Sequence, residues 1–220
     1  MNRLRVLVGC ERSGVVRRAF EALGHDAWSC DTEPADDGSN RHIRGDVRDH
    51  LNDGWDLLAV MHPPCTVLCN SGVKHLYIGG RKENGPDLDR WAALDEAAEF
   101  YRTLRDRGDI PRRAIENPVM HRYAIEKTGR RHVQFVQPWW FGDPFFKATG
   151  LELIGLPELQ PTNRLCPPRK GTAEHKVWSA VHREPPGPDR ARRRSQTYPG
   201  LAAAMAAQWG GFAGAESVAA

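Results

Sequence analysis

The chain has 220 residues, 40% of them hydrophobic and 27% charged, a composition that excludes wholesale disorder and can bury one full core. No apolar run approaches membrane-spanning length, and Met1-Asn2-Arg3-Leu4-Arg5 enters a strand without a signal-peptide core, so the default expectation is a cytoplasmic monomer with no membrane partner. Net charge of +3 does not by itself mark a nucleic-acid binder, and five cysteines, an odd number at low density, fit a reducing compartment.

In chain order, Leu4 to Val8 is a compact apolar strand followed by Gly9-Cys10-Glu11-Arg12-Ser13-Gly14. Val15, Val16, Ala19, Phe20 and Leu23 then recur at helical spacing, with Ser13 a reasonable N-cap and Gly24 where a C-terminal glycine belongs. Such a turn offers backbone N–H groups and a helix N-terminus to a ligand, although its spacing matches neither the dinucleotide nor the P-loop fingerprint. Ala27 to Cys30 reads as a second strand ending at Asp31, where Rossmann-like folds hold ribose hydroxyls, and His42 to Asp46 as a third closing on an aspartate. Leu57-Leu58-Ala59-Val60-Met61-His62-Pro63-Pro64-Cys65-Thr66 is a buried strand stopped by two prolines, which cannot donate ladder hydrogen bonds. Cys65 is thereby delivered to the carboxyl edge of the sheet as a candidate nucleophile.

Thr66 to Pro86 is a glycine-punctuated loop of functional length, and Leu88 to Arg107 a helix with Leu88, Trp91, Leu94, Ala98, Tyr101 and Leu104 on one buried stripe. Arg112 to Ile115 leads into Glu116-Asn117-Pro118, again a strand ending in polar residues backed by a proline. Gln134 to Trp140 and Thr149 to Leu156 read as late strands forming a hairpin around Gly142-Asp143-Pro144. The aromatic group Trp139, Trp140, Phe141, Phe145 and Phe146 reads as core before it reads as a base-stacking surface. The predicted class is α/β: a Rossmann-like, mostly parallel sheet with late antiparallel strands. Residues 1–159 form the catalytic core, 160–195 a basic, proline-rich segment, 196–212 a helix (Leu201 to Trp209) returning to the core, and 213–220 a frayed tail. From Gln160 to Ser195 nine Lys and Arg stand against three Asp and Glu, a plausible phosphate-contacting surface.

The glycine turn, Asp31, Asp46 and Cys65 all fall at one sheet edge, and Glu116 on the following strand stands beside them. A thiol and a carboxyl on adjacent strand ends, next to a nucleoside pocket, suit attack on a pyrimidine. The thiolate adds to C6, the carboxyl hydrogen-bonds the Watson–Crick edge, and C5 becomes nucleophilic enough to take a methyl group from a sulfonium donor.

On these residues the chain resembles the C5-cytosine DNA methyltransferases, in a small phage-like or prokaryotic form. Pro63-Pro64-Cys65 is similar to that family's Pro-Pro-Cys nucleophile loop and Glu116-Asn117-Pro118 to its Glu-Asn-Val motif. Val8 to Gly14 stands where the family keeps its S-adenosylmethionine loop, and Arg194 to Gly200 loosely resembles its C-terminal return segment. The resemblance implies Cys65 as nucleophile, Glu116 on the N3/N4 edge of cytosine and Asn117 positioning the loop. It implies S-adenosylmethionine held by Gly9, Cys10, Glu11, Ser13, Gly14, Asp31, Asp46 and Pro63. DNA with a flipped cytosine would be met by Pro64, Ser71, Gln137 and Arg194, and the loop from Thr66 to Pro86 would close over the base. The thiol would need a lowered pKa, which Arg12 or Lys74 could supply. The chain departs from the family at its Gln-x-Arg-x-Arg strand, because Gln137 is followed by Pro138-Trp139-Trp140-Phe141, and it has no separate target-recognition domain.

Three rivals stay open. His62, Cys65, Cys69 and His75 make a Cys/His cluster, although Cys65 and Cys69 are four apart and match neither a zinc knuckle nor a nucleobase deaminase, so no metal is expected. A catalytically degenerate module binding nucleic acid or cofactor is the second. Pyrimidine modification in RNA or free nucleotides is the third.

Overall fold

Apolar β-branched runs interleaved with amphipathic stretches must bury both faces of a sheet under helices, and the computed structural model of the chain does this. It describes residues 3–107, 109–117, 119–130, 133–187, 190–195 and 197–216. The strands are β1 (Arg5–Gly9), β2 (Asp26–Asp31), β3 (His42–Arg44), β4 (Leu57–Val60), β5 (Arg112–Asn117), β6 (Val133–Val136) and β7 (Thr149–Ile154). They form one seven-stranded sheet in the order β3-β2-β1-β4-β5-β7-β6. All pairs from β3 to β5 are parallel, whereas β7 runs antiparallel to both β5 and β6. The Rossmann-like, mostly parallel sheet with late antiparallel pairing is therefore present, and its strand order reverses between β1 and β4.

The helices are α1 (Val15–Ala22), α2 (Leu88–Arg105), α3 (Arg122–Thr128), α4 (Ala173–Trp178), α5 (Arg190–Ser195) and α6 (Pro199–Glu216). α1 and α6 cover one sheet face, where Val6, Val8, Leu57, Ala59, Ala114, Phe20, Met205 and Trp209 pack. α2 and α3 cover the other, with Leu7, Leu58, Val60, Ile115, Leu94, Tyr101 and Leu104. The alternation of these strand residues between the two clusters is the two-residue period of a pleat buried on both sides.

Several local expectations are corrected. Ser13 does not cap α1: Gly14 occupies the N-cap position with φ +66°, and the buried Glu11 carboxylate accepts the helix-start N–H groups of Val16 (2.6 Å) and Arg17 (3.2 Å). Gly24 does follow the end of α1 with φ +85°. α2 begins where predicted, capped by Asp87, but Leu88 is 74% exposed; Leu94, Ala98, Tyr101 and Leu104 carry the buried stripe. β6 stops at Val136, since Pro138 removes a ladder donor and starts a 3₁₀ turn through Trp140. α6 is longer at both ends than predicted, and its last turns run to Glu216, into the stretch expected to fray; residues 217–220 lie outside the described residues, as does Pro118. The loop after Cys65 is not structureless, because Asn70–Leu76, Ile78–Gly80 and Lys82–Asn84 form 3₁₀ turns. Among the described residues no helix is long and apolar enough to cross a membrane.

Candidate active site

β4 and β5 are parallel neighbours, so their carboxyl ends release Cys65 and Glu116 on the same edge of the sheet. Glu116 is 7% exposed, and burial raises its carboxyl to about 7 against a weaker opposing pull from Lys147. Burial, followed by the negative fields of Glu116 and Cys69, raises the Cys65 thiol to about 11. The lowered thiol pKa expected from Arg12 or Lys74 is thus reversed. Arg12 is 2.9 Å from Asp36, and the cation whose field opposes the rise at Cys65 is Lys147.

Lys147 is the residue that motif reading missed. β7 pairs with β5 so that Asn117 faces Gly150, which sets Lys147 just beyond the carboxyl end of β5. The Gln137 side-chain oxygen accepts the Lys147 backbone N–H at 3.1 Å, so Gln137, expected at the substrate, instead pins the turn that delivers the lysine. A sequence signal existed: a lone lysine between two predicted strands, ten residues after the glutamine where the arginines were absent. Glu116 and Lys147 line a small pocket with Met61, His62, Thr197 and Tyr198. His62 Nε2 lies 3.2 Å from Thr197 Oγ1, and burial together with the Lys147 charge pushes its pKa down, so it stands neutral. Among the described residues no group of His, Cys, Asp and Glu is gathered as a metal site would require.

The loop that carries Cys65 is held by backbone, not by Asn117. Cys69 bridges Met120, Asn70 N–H donates to Val119 O (2.9 Å), and His121 N–H donates to Leu68 O (3.1 Å). His121 Nδ1 caps α3 by accepting from Ala124 N–H, so its proton sits on Nε2 and is donated to Val67 O at 2.7 Å. The buried Asn117 carboxamide, expected to position the loop, has no hydrogen-bond partner on either atom among the described residues. Pro63 is buried and Pro64 exposed, and Ser71 meets Cys69 Sγ at 3.0 Å. Arg194 lies in α5, and its field reaches Lys147.

Of the turn expected at a cofactor, most is engaged within the protein. A Cβ on Gly9 would lie 2.7 Å from Val47 Cγ2, so that glycine serves packing. Glu11 occupies the N–H groups at the start of α1, with Ser13 Oγ 3.3 Å from its carboxylate. What faces outward is Cys10, strained at φ +54°, beside Asp31 and Asp46, whose charges join burial in raising its thiol. Asp46 is itself paired with Arg48. From Arg48 a cleft of about 920 Å³ runs past Pro64, Thr66, Val67 and Phe100 to Asp95, Glu96 and Glu99 on α2. Asp95 is paired with Lys127 and Glu99 with Arg102, which also lines the cleft.

No family model matches the chain, and no curated protein matches it. Among solved structures, a protein of an E. coli prophage assigned as a DNA modification methyltransferase aligns with TM-score 0.46 and 16% identity over 74% of this chain and 52% of its own. The Entamoeba histolytica methyltransferase EhMeth aligns with TM-score 0.46 and 13% identity over 75% of this chain and 58% of its own. The chain spans just over half the length of the solved structures it matches.

Proposed function

We propose that the protein is an enzyme that methylates C5 of cytosine in DNA, using S-adenosylmethionine and a covalent bond between Cys65 and C6. The observation that carries this reading is a buried, readily protonated carboxyl on β5 whose field reaches the thiol in the loop that follows the neighbouring parallel strand β4. A carboxyl with a value of about 7 can donate to N3 at neutral pH, where an ordinary glutamate cannot. Cys65 Sγ loses its proton and forms the S–C6 bond, while the ring electrons move toward the N3 edge held by Glu116. S-adenosylmethionine, when bound, supplies the electrophilic methyl group. Asp31, Asp46 and Cys10 would hold it, with the cleft beside Phe100 taking its nucleoside end. Because C5 and C6 are shielded in a stacked duplex, the cytosine must be flipped or unpaired. The basic segment from Gln160 to Ser195 supplies positive charge for the phosphate backbone.

DNA containing 5-fluorocytosine, incubated with protein and S-adenosylmethionine, should trap a covalent complex with wild type and none with Cys65→Ala. Base-resolution mapping in expressing cells should show 5-methylcytosine; its absence in every context, together with no trap, would sink this reading.

A further inference from the structure

A second cluster lies where the loop after β4 meets α3. Tyr77 of that loop and Tyr123 in the first turn of α3 meet hydroxyl to hydroxyl at 2.9 Å. Trp91 of α2 packs edge to face with both, its ring centroid 6.4 Å from that of Tyr77 and 5.1 Å from that of Tyr123. The loop doubles back on itself, because Ile78 N–H donates to Gly85 O (3.1 Å) and Asp87 N–H to Leu76 O (3.0 Å). That fold returns Lys82 over the Tyr77 ring, with Nζ 5.6 Å from its centroid, while Arg122 Cζ lies 4.7 Å over the Tyr123 ring. Lys127 covers Trp91 at 5.7 Å but is neutralised by Asp95. Lys82 and Arg122 are exposed, and among the described residues no carboxylate pairs with either. An aromatic ring holds a cation in place without cancelling its charge. Of the two phenolic hydrogens one is used between the hydroxyls, which leaves the other for an outside acceptor.

We propose that Lys82, Arg122 and the Tyr77–Tyr123 hydroxyl pair form a seat for one backbone phosphate of the nucleic acid. Two uncompensated cations and a neutral donor, fixed on rigid rings, match the charge and the two free oxygens of a phosphodiester. The seat belongs to the same unit as Cys65, since the loop after β4 and the start of α3 are joined through Cys69 and Met120. It lies on the α2–α3 side of the sheet, whereas the basic segment from Gln160 to Ser195 runs into α6 on the other side. A strand held at both would cross the edge where β4 and β5 end. This inference rests on the proposed DNA reading and adds to it a fixed phosphate contact outside the basic segment.

Fluorescence anisotropy of a labelled duplex oligonucleotide with the full chain, repeated over a series of salt concentrations, tests the seat. Lys82→Gln combined with Arg122→Gln should weaken binding about tenfold at about 0.1 M salt. It should flatten the slope of log affinity against log salt by about one, because both cations meet one phosphate. Tyr77→Phe combined with Tyr123→Phe should weaken binding about threefold with the slope unchanged, since a donor is lost and no charge. Arg3→Gln, an equal loss of charge at the amino-terminal edge of the sheet, should bind as wild type. Wild-type affinity in the Lys82/Arg122 double variant, a slope change near two, or an equal loss in Arg3→Gln overturns the proposal. So does capture on phosphatidylserine vesicles without oligonucleotide binding, which would assign the surface to a lipid. The expected binding pattern without a 5-fluorocytosine trap overturns the cytosine chemistry and leaves the seat standing. A normal trap with unaltered binding in the double variant overturns the seat only.

Discussion

At the residue scale, burial raises the Glu116 carboxyl to about 7 and, with the field of Glu116, the Cys65 thiol to about 11, so the two groups lose their protons in that order. Below about 7 the pair holds two protons, one too many for attack; between the two values it holds one, and the thiolate–carboxylic acid form is a fixed fraction of that species. On the proposed chemistry, kcat/KM for methyl transfer should therefore rise with pH through about 7 and then stay level until near 11, as a pH–rate profile will check. The same carboxyl affects stability. Its folded value lies above the unfolded one, so the native state binds the extra proton between roughly pH 4.5 and 7 and stability falls as pH rises through that window. The melting temperature of Glu116→Gln relative to wild type should thus shift upward as pH is raised from 4 to 8. An unchanged difference across that pH range in calorimetry would count against a strained carboxylate.

At the element scale, α3 and the loop after Cys65 act as one unit, because His121 caps the helix with Nδ1 and clasps Val67 O with Nε2. His121→Ala should cost about 2 kcal/mol from the lost cap and the orphaned carbonyl. Amide exchange should quicken at residues 66–70 in particular. The helix itself was not predicted: Arg122–Thr128 is short and mostly polar, so its periodicity is weak, and its N-cap is a histidine, outside the usual set. α1 has a comparable hidden device. Glu11 sits before the helix in sequence, yet folds back under it to accept two N–H groups, which no i-to-i+3 capping pattern announces.

At the scale of the whole molecule, α6 seals the face that α1 leaves open, and its start is fixed by residues far away in sequence. Gly200 N–H donates to Asp143 Oδ2 at 2.8 Å, and a Cβ there would collide with the Phe141 carbonyl oxygen, so Gly200→Ala should unseat the helix. Trp209, fully buried with its indole N–H on Pro157 O, should cost about 3 to 5 kcal/mol as Trp209→Ala in denaturant melts. The basic segment is docked at the site edge: Arg192 is 3.0 Å from Asp36, which Arg12 also holds, and Arg193 pairs with Glu184. On the proposed DNA reading, neutralising Arg192, Arg193 and Arg194 together should weaken binding across all sequences. The slope of log affinity against log salt should flatten by about one for each phosphate that is no longer neutralised.

The parallel sheet was legible in the chain because buried strands are local events: Leu57 to Val60 is apolar at every position, and two prolines end the run wherever it folds. Cys65 and Glu116 were legible for the same reason, since each lies one turn or less beyond such a run. Lys147 was not, because it becomes neighbour to Glu116 only through β7 inserting between β5 and β6, a pairing of residues distant in sequence. Nor could local pattern tell that the Cys65 thiol is raised instead of lowered. By itself the sequence determined which side chains reach the sheet edge, through hydrophobic periodicity and proline. Only the tertiary structure decided which charges share a buried pocket there, because burial and long-range electrostatics depend on what packs around a group and not on its neighbours in the chain.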